Sequence, residues 1–142
     1  MFTYQQDKCA ECQPCSIERF KALTRDPETA KKIDEHRRLK ACGRSAEAKA
    51  KKDSLPGCLY QTKEVLQSVG DKKYNKGQLG RWRLQSQCVL NGLVMCDFDH
   101  VDEPRKTWTL IHNGQWTIDN SLRERILLVF ITPSGEGLKV VF

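Results

Sequence analysis

The chain has 142 residues, 30% charged and 39% hydrophobic, with a formal net charge of +6 and a mean hydropathy of -0.60. This length suits one domain with a real core. No apolar run approaches a membrane span and no basic-then-apolar leader is visible, so a soluble, cytoplasmic protein is expected. Seven cysteines, an odd number without a secretion signal, argue against a disulfide scaffold and predict reduced thiols.

The charge is unevenly placed. Residues 1–83 hold 19 Lys and Arg against 11 Asp and Glu, whereas residues 84–142 hold 5 against 7, so the first part is +8 and the second −2. A basic part for a polyanion and an acidic part for a metal would produce this split. Lysine-rich solvated helices would produce it equally well.

In chain order, Cys9, Cys12 and Cys15 form a C-x2-C-x2-C run. Three thiolates at this spacing begin an iron–sulfur or zinc pattern, but position 19 is Arg, and only His36, Cys42 or Cys58 could complete it. Surface thiols are the simpler expectation. Ser16 is placed to cap a short helix through Leu23. Asp26-Pro27-Glu28 then supplies an N-cap, a proline at the first helical position and an acidic first turn, which predicts a helix to Cys42 closed by Gly43. Its apolar stripe of Ala30, Ile33, Leu39 and Ala41 is thin beside Lys31, Lys32, Arg37, Arg38 and Lys40, so this helix should lie on the surface. Ser45 is positioned to cap a third helix over residues 46–53, ended by Leu55-Pro56-Gly57. Residues 1–54 thus read as a basic helical region and 55–142 as a sheet core within a single domain.

Residues 58–66 fit either an edge strand or an irregular connection. Residues 70–83 interleave Lys72, Lys73, Tyr74, Lys76, Arg81, Trp82 and Arg83 among three glycines. Lys72, Lys73, Arg81 and Arg83 could follow a nucleic-acid backbone while an aromatic ring stacks on a base. A flexible basic loop with Trp82 tucked under the sheet is the plainer alternative.

Leu93, Val94, Met95 and Cys96 run directly into Asp97, Phe98 and Asp99. On an extended strand, Asp97 and Asp99 share a face and Phe98 turns into packing. Two carboxylates so close repel unless a cation neutralises them, and hard oxygen donors suit Mg²⁺ or Mn²⁺. His100 follows, a solvent-facing neighbour rather than a ligand. Residues 105–120, with Trp108, Leu110, Ile111, Trp116 and Ile118, should be partly helical and cover the sheet, broken at Asn113-Gly114. Cys88 and Cys96, among apolar neighbours, read as small core residues.

Residues 126–131 form a β-branched and aromatic run typical of a strand buried on both faces. Pro133, Ser134, Gly135, Glu136 and Gly137 supply a turn, and residues 138–142 return as a strand. The two glycines permit a close backbone approach to phosphate, with the Ser134 hydroxyl and the Lys139 cation beside it. An ordinary hairpin turn has the same composition.

The apolar run into Asp97-Phe98-Asp99, followed by strand, Pro-Ser-Gly-Glu-Gly-Leu-Lys and strand, resembles the primase-like N-terminal domain of bacterial mobile-element proteins (VirE N-terminal type). That domain is related to the archaeo-eukaryotic primase-polymerase superfamily. The resemblance implies metal-binding, catalytic roles for Asp97 and Asp99. It also implies nucleotide-binding roles for Ser134, Gly135, Gly137 and Lys139, the lysine standing where the superfamily usually has histidine. It implies a nucleoside triphosphate, DNA or RNA, and a helicase domain in the full-length protein as partners.

The expected fold is therefore α/β, a two-layer mixed sheet with a C-terminal β-hairpin, surface helices and a primase-polymerase-like core. The expected function is a nucleotidyltransferase domain in replication of mobile elements. Two other readings stand beside it. Asp97-Phe98-Asp99-His100-Val101 also fits the start of a haloacid-dehalogenase-type phosphatase, and a non-catalytic nucleic-acid-binding module of a helicase needs only the basic segments. Primase-type sites take a further carboxylate from a third motif, which no residue after the hairpin supplies. The sequence therefore reads as a fragment, inactive by itself, with a last apolar strand lacking a neighbour.

Overall fold

The computed structural model describes residues 1–115 and 119–142. Two compact units divide the chain, Met1–Gly92 and Leu93–Phe142. The division coincides with the charge split, because residues 84–92 carry no Lys, Arg, Asp or Glu. The fold is mixed α/β, with five α-helices and several small antiparallel sheets among the described residues. The single mixed sheet expected from sequence is thus replaced by short separate ladders. The strands are two to four residues long and pair as two three-stranded and two two-stranded ladders among the described residues.

The first unit is built on β1 (Phe2–Gln5), whose four residues are all buried. It pairs on one side with β2 (Gln13–Cys15) and, after three helices, on the other with β3 (Gly57–Leu59), both antiparallel. Phe2, Phe20 and Tyr60 cluster with centroids 5.3 to 6.1 Å apart, Phe20 edge-on to the other two rings and joining β1 to α1 (Ile17–Arg25). Complete burial of Phe2 contributes on the order of 2–3 kcal/mol of transfer free energy. Ser16 caps α1 as expected, its hydroxyl accepting from the Arg19 amide.

Helix α2 (Pro27–Ala41) starts where the sequence demands. The Asp26 carboxylate accepts from the Thr29 amide at 2.8 Å and from its hydroxyl at 2.7 Å, and this bonding holds the Asp26 carboxyl below its ordinary range. Gly43 lies beyond the end with φ 71°. The buried stripe is His36 and Leu39, whereas Ala30 and Ala41 are exposed. Helix α3 (Ser45–Asp53) begins one residue earlier than expected. Arg44 is its N-cap without a side-chain cap, and the Ser45 hydroxyl does not play that role.

The undecided residues 58–66 are two strands, the end of β3 and β4 (Thr62–Val65). After β5 (Ser68–Val69) and β6 (Leu79–Gly80), which pair in a hairpin, a 3-10 turn (Gln85–Gln87) leads into β7 (Cys88–Leu90), which pairs with β4 across a bulge. The expected surface placement of Cys12 and Cys15 is corrected: both are buried, at 3% and 0% exposure. Cys15 sits opposite Phe2 in the central ladder, and the Cys12 amide donates to the Arg81 carbonyl at 2.8 Å. Cys88 and Cys96 are half-buried.

In the second unit, β8 (Met95–Phe98), β9 (Leu128–Ile131) and β10 (Leu138–Val141) form a sheet in the order β8-β10-β9, every pair antiparallel. Helix α4 (Pro104–His112) packs Ile111 and Trp108 against Leu138 and Val140, together with Phe98 and Val129. It ends at Asn113 and Gly114 (φ 71°), as the sequence predicts. A single turn, α5 (Asn120–Arg123), precedes β9. Trp116 and Ile118 lie outside the described residues.

Two strand expectations are corrected. The 126–131 run becomes a four-residue strand, half-buried along its length, at the outer side of β10 rather than enclosed on both faces. The last strand, expected to lack a neighbour, is central. Val140 and Val141 are fully buried, and Phe142 exchanges backbone hydrogen bonds with Val94 at 2.9 and 3.2 Å. In the middle of the sheet both edges of β10 are paired, so its backbone polar groups are satisfied.

Candidate functional site

Strand register assembles the sequence-predicted site at one end of the second sheet. In the β8–β10 ladder Asp97 lies directly opposite Lys139, and Phe98 opposite Leu138. Because side chains alternate, Phe98 and Leu138 face α4 while Asp97 and Lys139 share the other face. The Lys139 ammonium donates to the Asp97 carboxylate, forming an ion pair whose side chains are 23% and 35% exposed. The repulsion expected of an acidic strand end is thus relieved by a lysine.

Asp99 stands apart from this geometry. β8 ends at Phe98, and His100 adopts a left-handed conformation (φ 55°) that turns the chain away. Asp99 therefore lies one residue past the strand and is exposed, so the shared strand face expected for the two aspartates does not extend to it. The turn does bring this segment to the glycine-rich hairpin, since the Val101 amide donates to the Glu136 carbonyl at 2.8 Å.

The hairpin itself is tightly organised. The Thr132 amide donates to the Gly137 carbonyl and the Gly135 amide to the Thr132 carbonyl, each at 2.9 Å. The Thr132 and Ser134 hydroxyls share a hydrogen bond of 3.0 Å, and the Glu136 amide lies 3.4 Å from the Ser134 hydroxyl. Gly135 takes φ 80°, and a Cβ on Gly137 would stand 2.8 Å from the Thr132 hydroxyl oxygen and 3.1 Å from the Phe98 carbonyl oxygen. The Gly135 and Glu136 amides expected to face a phosphate thus make bonds within the turn. An incoming anion has to replace them or use Lys139 and the Ser134 hydroxyl.

As a cation site, the residues fit in chemistry and are sparse in number. Asp97 already holds one cation, the ammonium of Lys139, and Asp99 offers a second hard oxygen donor two residues on. Among the described residues, no group of three or more His, Cys, Asp or Glu side chains is gathered as a metal cluster, and this includes Cys9, Cys12 and Cys15. Burial pushes the Cys12 thiol up to about 11 and the Cys58 thiol up to about 12, so both are protonated at neutral pH.

The four cations proposed for nucleic acid all lie in the first unit, on or just beyond one hairpin. The β5–β6 connection exposes Lys72, Lys73, Tyr74 and Lys76, while Arg81 and Arg83 are exposed after it. The connection is held by hydrogen bonds of its own. Asn75, 1% exposed, accepts from the Lys72 amide at 2.9 Å through its side chain and donates its own amide to the Lys72 carbonyl at 3.0 Å. Gly70 leaves room for this residue, since a Cβ there would lie 2.2 Å from the Asn75 carbonyl oxygen. Trp82 is buried, with its indole N–H donating to the Gln78 carbonyl at 3.0 Å, so it is a support and not a stacking surface.

Sequence reading missed a cleft of about 950 Å³ on the α4 side of the second sheet, lined by Arg105, Trp108, His112, Arg123 and β9 residues. Only the clustering of aromatic and basic residues along one helix hinted at it. No helix among the described residues is long and apolar enough to cross a membrane. The chain matches no protein-family model, no curated protein and no solved structure.

Proposed function

We propose that this chain is a primase-polymerase-like nucleotidyltransferase domain, in which the second unit handles metal and nucleotide and the first unit holds DNA or RNA. The observation that carries the reading is the register of β8 and β10, which sets Asp97 beside Lys139 at the mouth of the glycine-rich hairpin. A carboxylate for Mg²⁺ or Mn²⁺ and a cation for phosphate are the two charges that phosphoryl transfer requires side by side.

In this reading Asp97 and Asp99 hold the divalent ion, which when bound supplies charge neutralisation at the transferred phosphate. Lys139 and the Ser134 hydroxyl orient the triphosphate, and Gly135 and Gly137 let the backbone approach it. The positive surplus of the first unit, displayed at Lys72, Lys73, Arg81 and Arg83, draws the nucleic-acid backbone. A cytoplasmic replication role beside a helicase follows from the same resemblance.

The phosphatase reading is less well supported, because the chain after residues 133–137 returns as β10, where that fold calls for a helix. The deciding measurement is isothermal calorimetry of Mn²⁺ on the wild type and on Asp97→Asn combined with Asp99→Asn. It is paired with transfer of labelled nucleotide to a primer, release of phosphate from a phosphoester, and retention of DNA. Unchanged metal binding in the double variant removes the assignment of the site. Retention of DNA with neither activity makes the chain a binding module.

A further inference from the structure

Resting on the reading of Asp97 as a metal ligand, we propose that Lys139 is a built-in competitor of the divalent cation, displaced by phosphate, so that metal and nucleotide bind cooperatively. The ammonium of Lys139 occupies the Asp97 carboxylate from the neighbouring strand, at a directly paired position that backbone hydrogen bonds hold in register. A cation approaching Asp97 must therefore separate an existing ion pair as well as shed water.

The same ammonium is the formal positive charge nearest in sequence to the 133–137 turn on its C-terminal side. Its flexible four-carbon stem lets it exchange one anion for another without backbone movement. A phosphate at the turn offers Lys139 more negative charge than one carboxylate does. Once the ammonium turns to it, the Asp97 carboxylate is left uncompensated, and the site's demand for a divalent cation rises.

Reciprocity follows. If phosphate raises metal affinity by some factor, metal raises phosphate affinity by the same factor, and typical couplings of this kind are about 5- to 150-fold. The bare protein is held in a low-affinity state for the ion, which limits idle metal binding. The exposure of both side chains, 23% and 35%, keeps the exchange accessible to solvent and ligand.

The test is Mn²⁺ binding followed by loss of the free-ion electron paramagnetic resonance signal. The proteins are the wild type, Lys139→Met, Lys139→Gln, Lys139→Arg and Asp97→Asn, each with sodium chloride or with sodium sulfate at equal ionic strength. Sulfate serves as the phosphate-like probe because it chelates Mn²⁺ only weakly. The expected result is about tenfold tighter Mn²⁺ binding in Lys139→Met and Lys139→Gln than in the wild type in chloride. Lys139→Arg should stay weak, and Asp97→Asn should lose the site. Sulfate should tighten binding in the wild type and leave Lys139→Met unmoved.

Equal affinity in the wild type and both neutral variants, with loss in Asp97→Asn, would overturn the competition and leave the metal reading standing. Binding that Asp97→Asn does not weaken would instead remove the metal reading on which the inference rests.

Discussion

His36 on α2 donates its Nδ1 proton to the backbone carbonyl of Ala48 on α3, 2.8 Å away, and both residues are buried. The carbonyl can only accept, which places a proton on Nδ1. Nε2 is buried, with no hydrogen-bond partner among the described residues. The bond joins α2 to α3, which the Lys51–Glu35 ion pair also bridges.

His36→Ala should therefore cost about 2–3 kcal/mol, from the lost bond and the cavity together. His36→Leu should cost less, because it fills the space and removes the unsatisfied nitrogen along with the bond. Urea denaturation of both variants checks the order, and a larger loss in His36→Leu would contradict it.

Gly137 is required by crowding. A methyl group there meets the Thr132 hydroxyl and the Phe98 carbonyl, which are turn and strand atoms with little room to move. Gly137→Ala should destabilise the second unit by about 1–3 kcal/mol and loosen the turn. Gly135→Ala, strained by its φ of 80°, should cost roughly 1 kcal/mol. Hydrogen exchange of the Thr132 and Gly135 amides reads the local effect. Equal protection in Gly137→Ala and wild type would show that the strands shift at no cost.

The basic hairpin predicts salt-dependent nucleic-acid binding with little sequence preference. Each phosphate contact should contribute a slope of about 0.7 to 0.9 in log K against log salt. Replacing Lys72, Lys73, Arg81 and Arg83 with Gln should weaken binding and flatten that slope. Asn75→Ala removes no charge but frees the loop, so affinity should fall while the slope is retained. Fluorescence anisotropy across a salt series separates the two, and an unchanged affinity in the Gln variant would return this hairpin to a solvated surface.

Alkaline pH should unfold the first unit. Burial raises the Cys12 thiol to about 11 and the Cys58 thiol to about 12 from an ordinary 9.0, and it raises Cys15 and Tyr60 as well. The unfolded chain then ionises at lower pH than the folded one. The stabilisation is complete below pH 9 and is lost as pH rises toward 11 and 12. Urea midpoints between pH 8 and 11 should fall, and less steeply in Cys58→Ala. A flat profile in the wild type would mean that these thiols and the Tyr60 hydroxyl reach solvent.

Much of the local structure was written in the sequence. Asp26, Pro27 and Gly43 bound α2 because capping and positive φ are decided by a few adjacent residues. The hairpin of Ser134, Gly135 and Gly137 and the packing of Phe98 follow in the same way from turn chemistry and two-residue alternation. Asp97 was recognisable as the end of an apolar strand.

What only the tertiary structure decided is which residue answers Asp97. Sequence spacing points to Asp99, two positions on, but a left-handed residue at His100 takes the chain off the strand. The partner comes instead from β10, 42 residues away, where antiparallel register sets Lys139 opposite. The same is true of His36, buried against Ala48, of Cys12 and Cys15, enclosed beside β1, and of β10 itself at the centre of its sheet. Each depends on long-range pairing and on whether apolar surface elsewhere in the chain covers the residue, quantities that no window of neighbouring residues contains.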